Sequence, residues 1–260
     1  MRLLTGLLTP CVNNIPENCL ISPYQWNYAF MRLENKGSPL ISIILCVYNR
    51  RNTVIKALDS IINQTFKDYE VIIVDDGSTD NVEELIIPYI KQKDKFKYIR
   101  HSNRHIAYSK NTGLLIALGS YVTFLDSDDQ YKEKHLENMV NLINKNPDLD
   151  FVYSDPVIVG NKEDEWFVNA LDSTKLIHVS NCVFGATFFG RKKIFLEMNG
   201  FVDMPYAEDF DFFGRLVSAG KYKILKSDEK TYVYFRDIKD SITNVAKSMH
   251  CTMNSFSTGK

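Results

Sequence analysis

The chain has 260 residues, 45% of them apolar and 12% aromatic, enough for one large α/β domain or two small ones around a sizeable core. A formal net charge of −1 gives no electrostatic footprint for nucleic acid. The five cysteines (Cys11, Cys19, Cys46, Cys182, Cys251) are odd in number and lack CxxC spacing, which argues against a zinc site or a disulfide framework and favours a reducing compartment. No apolar run approaches the roughly 20 residues of a membrane-spanning helix, and the opening Met1–Leu8 is too short and weakly basic for a signal peptide. The expectation is a soluble cytoplasmic protein, with a lysine-bearing face leaving room for peripheral contact at the inner face of a membrane.

Residues 1–38 read as an irregular extension, broken by Pro10, Pro16, Pro23 and Gly37-Ser38-Pro39. Trp26, Tyr28, Phe30 and Met31 form a short apolar piece expected to dock on the domain. Regular patterning starts after Pro39. Leu40–Val47 reads as a buried strand. Thr53–Gln64 reads as a helix with Val54, Ile55, Leu58, Ile61 and Ile62 on one face, capped by Asn52 or Thr53. The same reasoning places strands at Tyr69–Val74, Phe96–Arg100 and Tyr121–Leu125, and helices at Asn81–Lys91, Ala107–Leu118 and Lys132–Lys145. Beyond residue 150 the rhythm changes. Strands are expected at Phe151–Val159, Val183–Phe189, Tyr222–Leu225 and Thr231–Phe235, and helices at Lys192–Met198 and Asp209–Ala219. Residues 246–260 are expected to be a flexible tail.

Strands alternating with helices predict an α/β fold: a mainly parallel sheet flanked by helices on both faces. Ligands of such sheets sit outside the carboxyl ends of the strands, and the polar clusters fall at those ends. Tyr48-Asn49-Arg50-Arg51 follows the first strand, Asp75-Asp76-Gly77-Ser78 the second, and Asp126-Ser127-Asp128-Asp129 the fourth. Each has two readings. The acids after the fourth strand suit a helix cap, or a divalent cation bridging to a phosphorylated ligand. Asp75 and Asp76 suit a turn, or acceptors for nucleobase and ribose donors. Lys110 suits solvent or a ligand phosphate. Glu208 and Asp209 suit the start of a helix, or a general base. His101 and His105 read as ordinary polar residues.

Together these segments resemble the family 2 glycosyltransferases of the GT-A fold. The similarity runs from Pro39 to about Thr243. It is carried by Ile41–Arg50, Val71–Asp80, Asn103–Gly113, Phe124–Asp129, Asn199-Gly200-Phe201 and Glu208-Asp209. The resemblance implies a GT-A domain over 39–245, with a Rossmann-like donor-binding half at 39–130 and an acceptor-binding half at 150–240. It implies an inverting transfer of one sugar from a nucleoside-diphosphate donor, UDP-linked above all, to a glycan or lipid-linked glycan in bacterial surface polysaccharide synthesis. By that likeness Val47, Tyr48, Asn49 and Asp75 or Asp76 hold the base and ribose. Lys110 lies near the diphosphate, and Asp126 contacts the ribose or a metal-bound water. Asp128, with Asp126, binds Mn2+ or Mg2+. Asp209 is the base, with Glu208 its neighbour at the acceptor edge, and Asp129 is only a cap.

The sequence departs from the family pattern at three places. Cys46 stands where Pro is usual, His105 where Gly is usual, and Ile238 where a His is common; Arg236 or Lys239 are the candidates to replace that His. No Gln-x-x-Arg-Trp segment follows, which argues against a processive polymerase. Two other classes compete: a sugar-phosphate nucleotidyltransferase, disfavoured because Tyr48–Thr53 contains no Gly, and a non-catalytic nucleotide-sugar-binding relative.

Overall fold

The run Ile41–Val47 is buried at every position, as expected of a strand covered on both faces. A computed structural model describes residues 26–30, 38–92, 94–238 and 241–257. In chain order its elements are β1 (Trp26–Phe30), β2 (Ile41–Val47), α1 (Val54–Ile62), β3 (Tyr69–Asp75), α2 (Glu83–Gln92), β4 (Phe96–His101), α3 (His105–Ile116), β5 (Tyr121–Asp126), β6 (Gln130–Tyr131), α4 (His135–Lys145), β7 (Phe151–Ser154), β8 (Val157–Val159), β9 (Trp166–Val168), β10 (Leu176–His178), β11 (Phe189–Arg191), α5 (Lys192–Glu197), α6 (Glu208–Ser218), β12 (Ile224–Ser227), β13 (Tyr232–Phe235) and α7 (Ile242–Ser257).

Among the described residues, eight strands pair in the order β1-β4-β3-β2-β5-β11-β7-β12. The central four, β4, β3, β2 and β5, are parallel. β1 and β11 run antiparallel to their neighbours, and β12 runs parallel to β7. From β2 the chain builds outward to β3 and β4, then returns to place β5 on the other side. The reversal opens a crevice beyond the carboxyl ends of β2 and β5, where Cys46 is in register with Asp126.

Alternation along β2 splits the core into two layers. Ile43 and Leu45 pack with Val54, Leu58 and Ile61 of α1, Ile86 of α2 and Leu136 and Met139 of α4. Ile44 and Cys46 face the other way, toward Leu114 and Leu115 of α3, Ile194 and Phe195 of α5, and Phe212 and Leu216 of α6. That second layer is held by aromatic contacts: Phe201 stacks on Phe212 at 4.9 Å, and Phe124 meets Phe201 edge-on at 5.3 Å. Asn111 in α3 accepts from the Phe201 amide (2.9 Å) and donates to the Phe201 carbonyl (2.8 Å). Gly200, at φ +62°, lets that turn approach, since a Cβ there would lie 2.3 Å from Asn111 Oδ1.

Several expectations need correction. The strand expected over 151–159 is two strands, because Pro156 has no N–H to continue a ladder. β7 stays in the main sheet, while β8 joins β13 and β6 in a separate three-stranded sheet. The strand expected over 183–189 is mostly a 3-10 turn at Gly185–Thr187, and only Phe189–Arg191 pairs. Thr53 occupies the N-cap of α1 without a side-chain cap bond. Of residues 246–260, expected to be a flexible tail, 246–257 belong to α7, whose first turn is tied to β13 by Tyr234 Oη and Thr243 Oγ1 (2.7 Å), and 258–260 lie outside the described residues. Of the N-terminal extension, Trp26–Phe30 pairs with the β4 edge; the rest of 1–37, including Met31, lies outside the described residues, as does Lys239.

Candidate active site

The carboxyl ends of β2, β3 and β5 meet the amino end of α6 around a cavity of about 980 Å³. Val47, Tyr48 and Asn49 line it directly. Asn49, at φ +51°, cross-links two strand ends: its amide donates to Ser78 Oγ (3.0 Å), and its Oδ1 accepts from the Thr79 amide (2.8 Å).

The pair Asp75-Asp76 divides between structure and cavity. Asp75 is fully buried, accepts from the Ser78 amide (2.8 Å) and from Tyr98 Oη, and does not line the cavity. Asp76 does line it. Its Oδ1 accepts from the Arg104 amide at 2.7 Å and lies 3.3 Å from His101 Nδ1. Burial pushes the Asp76 carboxyl up to about 6, against the opposing amides of Arg104 and His105. His105, where Gly is usual, opens α3 at φ +71°, the backbone region Gly favours.

At the end of β5 the three acids separate in the same way. Asp126 and Asp128 line the cavity. Burial pushes Asp126 up to about 6, with the Lys110 charge opposing and Asp128 reinforcing. Among the described residues no hydrogen-bond donor reaches the Asp126 carboxyl. Asp128 pairs with Arg50 Nε at 3.1 Å. Asp129 also touches the cavity wall but is committed inward: Oδ2 accepts from Tyr232 Oη (2.6 Å) and Oδ1 from the Phe235 amide (2.9 Å). It therefore clamps β13 to the acidic turn, and the expectation that it is only a cap is corrected: Lys134 holds the N-cap position of α4.

The base candidates stand at the start of α6. Ala207, the N-cap, adopts φ +65°, ψ +38°, a costly conformation for an L-residue. Asp209 Oδ2 accepts from the Gly185 amide (2.7 Å) and Oδ1 from the Phe210 amide (2.8 Å). Burial and the adjacent Glu208 push the Asp209 carboxyl up to about 6, against Lys110. Glu208 is bound to Lys110 at 2.6 Å. Burial opposes the Lys110 charge, but Glu208, Asp126 and Asp209 outweigh it and hold the ammonium above the usual lysine range. The ammonium also sits 5.0 Å from the Phe201 ring centroid. Lys110 lines the cavity and is engaged there by Glu208, so it serves the α6 acids.

Sequence reasoning missed Gly185, Phe184 and Tyr206, all on the cavity wall. A Cβ on Gly185 would lie 2.7 Å from Asp209 Cβ, so only glycine brings its amide to that carboxylate. It also missed the Arg50–Asp128 pair, for which adjacency to Asn49 was the only signal. Among the described residues, no helix is long and apolar enough to cross a membrane.

A doubly layered sheet with an acidic crevice at its switch point and a second acidic pair on a helix start defines the GT-A type of nucleotide-sugar fold. The model of glycosyl transferase family 2 matches residues 42–197, and the chain belongs to that family. An uncharacterized glycosyltransferase of Rickettsia conorii is 41% identical over 115 residues, which is 44% of this chain and 18% of that protein. Glycosyltransferase GlyA of Streptococcus pneumoniae is 40% identical over 103 residues, 40% of this chain and 15% of that one. The chain thus spans less than a fifth of either relative. S. aureus TarS in complex with UDP-GlcNAc matches with a TM-score of 0.62 at 22% identity, over 78% of this chain and 60% of that one. Mannosyltransferase PcManGT from Pyrobaculum calidifontis, in complex with GDP-Man and Mn2+, matches with a TM-score of 0.63 at 18% identity, over 90% and 68%.

Proposed function

We propose that this chain transfers one sugar from a nucleoside-diphosphate sugar, UDP-linked, to a hydroxyl of a glycan or lipid-linked glycan in bacterial surface polysaccharide synthesis, inverting the anomeric carbon. The observation that carries the reading is Asp209. Its carboxylate sits on the cavity wall, aimed by two backbone amides and raised by burial toward the working range of a general base. In this reading Asp209 takes the acceptor's proton as its oxygen attacks. Val47, Tyr48, Asn49 and Asp76 hold the nucleoside, while Asp75 shapes the turn. Lys110 keeps Glu208 paired, so that two adjacent acids can share one helix start.

Asp126 and Asp128 fit a Mn2+ or Mg2+ ion by their donor chemistry, since such ions take one or two carboxylates together with substrate phosphates and water. The undonated carboxyl of Asp126 supports this. Among the described residues no three His, Cys, Asp or Glu side chains form a protein-only cage, so a bound ion would need ligands from substrate and water as well. When bound, such an ion neutralises charge on the leaving diphosphate. The complexes of TarS with UDP-GlcNAc and of PcManGT with GDP-Man and Mn2+ support the donor class.

The test is a thermal-shift screen of nucleotide sugars with and without Mn2+. A stabilising donor whose effect disappears in D128A supports the reading. If no nucleotide stabilises the chain with any divalent metal, the reading fails.

A further inference from the structure

Helix α7 is built inside out. A surface helix of a water-soluble domain turns its apolar stripe to the core and its polar side to solvent. Over the described positions 241–250, α7 does the reverse. Its long polar side chains are used inward. Asn244 Nδ2 donates to the carbonyls of Arg236 (3.0 Å) and Ile238 (2.8 Å), and Lys247 Nζ donates to the Glu163 carbonyl. The buried His250 donates from Nδ1 to the Ser173 carbonyl (2.8 Å). Its large apolar side chains point out: Ile242 is 54% exposed, Val245 40% and Met249 59%. They stand at i, i+3 and i+7, one face of a helix. Apolar residues exposed singly are ordinary, but an aligned row of them marks a surface that something covers.

The row is continuous with the cavity. Ile242 lines the cavity mouth, and so does Leu171, which is 80% exposed. Leu171 belongs to the turn between β9 and β10, and that turn is the one whose Ser173 carbonyl holds His250. The hairpin tip and α7 therefore form one edge of the cavity. Over 241–250 the exposed residues are Ile242, Val245, Ser248 and Met249, and none of them is charged.

We propose that this edge rests on a lipid bilayer, with Ile242, Val245, Met249 and Leu171 in the interfacial layer, so that an acceptor hydroxyl displayed at the bilayer surface enters the cavity past Ile242. The inference narrows the acceptor of the proposed reading to one carried by a lipid; it rests on that reading for its purpose but not for its test. Area selects a bilayer over a second copy of the chain. The exposed parts of the four side chains offer on the order of 500 Å², short of the roughly 800 Å² per partner of a stable protein interface. The uncharged face selects apolar insertion over attraction to anionic headgroups, in place of the lysine-bearing contact expected from sequence.

The experiment is co-sedimentation of the full chain, without nucleotide, with phosphatidylcholine vesicles and with mixed phosphatidylcholine and phosphatidylglycerol vesicles, at low and high salt. Wild type is expected to bind both alike, with little effect of salt. Neither Val245 nor Met249 lines the cavity. V245S/M249Q is therefore expected to bind vesicles at least about 10-fold more weakly while keeping the Tm and the UDP affinity of wild type. V245L/M249L, which keeps the face apolar, is expected to bind vesicles as wild type does. Should V245S/M249Q fold poorly, L171S at the exposed hairpin turn decides, with a loss of about 3- to 10-fold expected. Wild type that binds neither vesicle overturns the inference, as does a folded V245S/M249Q that binds as tightly as wild type. Binding confined to phosphatidylglycerol and lost in high salt overturns it in favour of a basic face. A dimer in sedimentation velocity that V245S/M249Q abolishes, with no vesicle binding, overturns it in favour of a second copy. Failure of the donor reading is seen separately, as a wild-type chain that binds vesicles but no nucleotide.

Discussion

Replacing Lys110 with Met removes the cation that holds three acids together. Lys110 Nζ lies 2.6 Å from Glu208, and its charge also acts on Asp126 and Asp209. The apolar stem is conserved by Met, and the rings of Phe124 and Phe201 stay in contact, so packing loss is small. What remains is a buried Glu208 without its partner. Breaking a buried pair from one side costs about 3–5 kcal/mol. For a domain of this size that is a Tm drop of about 10 °C. The assay is urea and thermal unfolding of wild type, K110M, E208L and K110M/E208L near pH 7.5. The double variant is expected to recover about half of the K110M loss, because Asp126 and Asp209 still feel the missing charge. K110M within about 1 kcal/mol of wild type, or a double variant no more stable than K110M, would refute the reasoning.

Other outcomes follow from the same geometry. D209N is expected to bind donor and lose transfer, which a paired binding and turnover assay resolves; retained transfer would move the base to Glu208. The raised Asp209 carboxyl favours the neutral form in the folded chain, so its contribution to stability is present at low pH and is lost as pH rises through about 6. Transfer shows the opposite sign: the base must be ionised, so turnover rises with pH through about 6. A carboxyl raised to about 6 corresponds to at most about 3 kcal/mol, so D209N should raise the unliganded Tm at pH 8 and converge on wild type near pH 4. G185A places a Cβ 2.7 Å from Asp209 Cβ; it should cost about 1–3 kcal/mol and lower kcat more than donor affinity. A207G relieves an alanine at φ +65°, and the relief exceeds the added chain entropy, giving a gain of about 0.5 kcal/mol by chemical denaturation.

The parallel half was legible because its strands are almost wholly buried and α1 and α4 keep an apolar period; β2, β3 and β5 fall within a residue of their expected bounds. The later half was not, because its short pieces are fixed by partners distant in sequence. Gly185 turns where Asp209, 24 residues on, accepts its amide. Asp129 is claimed by Tyr232 and Phe235, more than a hundred residues on. Neither link leaves a periodic trace. The acids were recognisable as a group, but their division was not: Asp75 and Asp76 are neighbours in sequence, and only the fold turns one inward to Tyr98 and the other to the cavity.

That division bears on what a cation would do at the site. Asp76, Asp126, Asp128, Asp129, Asp203, Glu208 and Asp209 line the cavity, with Arg50 and Lys110 as the basic residues among the lining. Asp129 is turned inward to Tyr232 and Phe235, and Glu208, Asp128 and Asp203 have basic partners in Lys110, Arg50 and His105. Asp76, Asp126 and Asp209 are left, and burial pushes all three up to about 6. A diphosphate entering such a space meets net repulsion at neutral pH. Positive charge must come in with it or already wait beside it. A divalent ion at Asp126 and Asp128 would supply it. If that ion acts, D128A should bind a nucleoside diphosphate more weakly than wild type and lose most of its dependence on Mn2+.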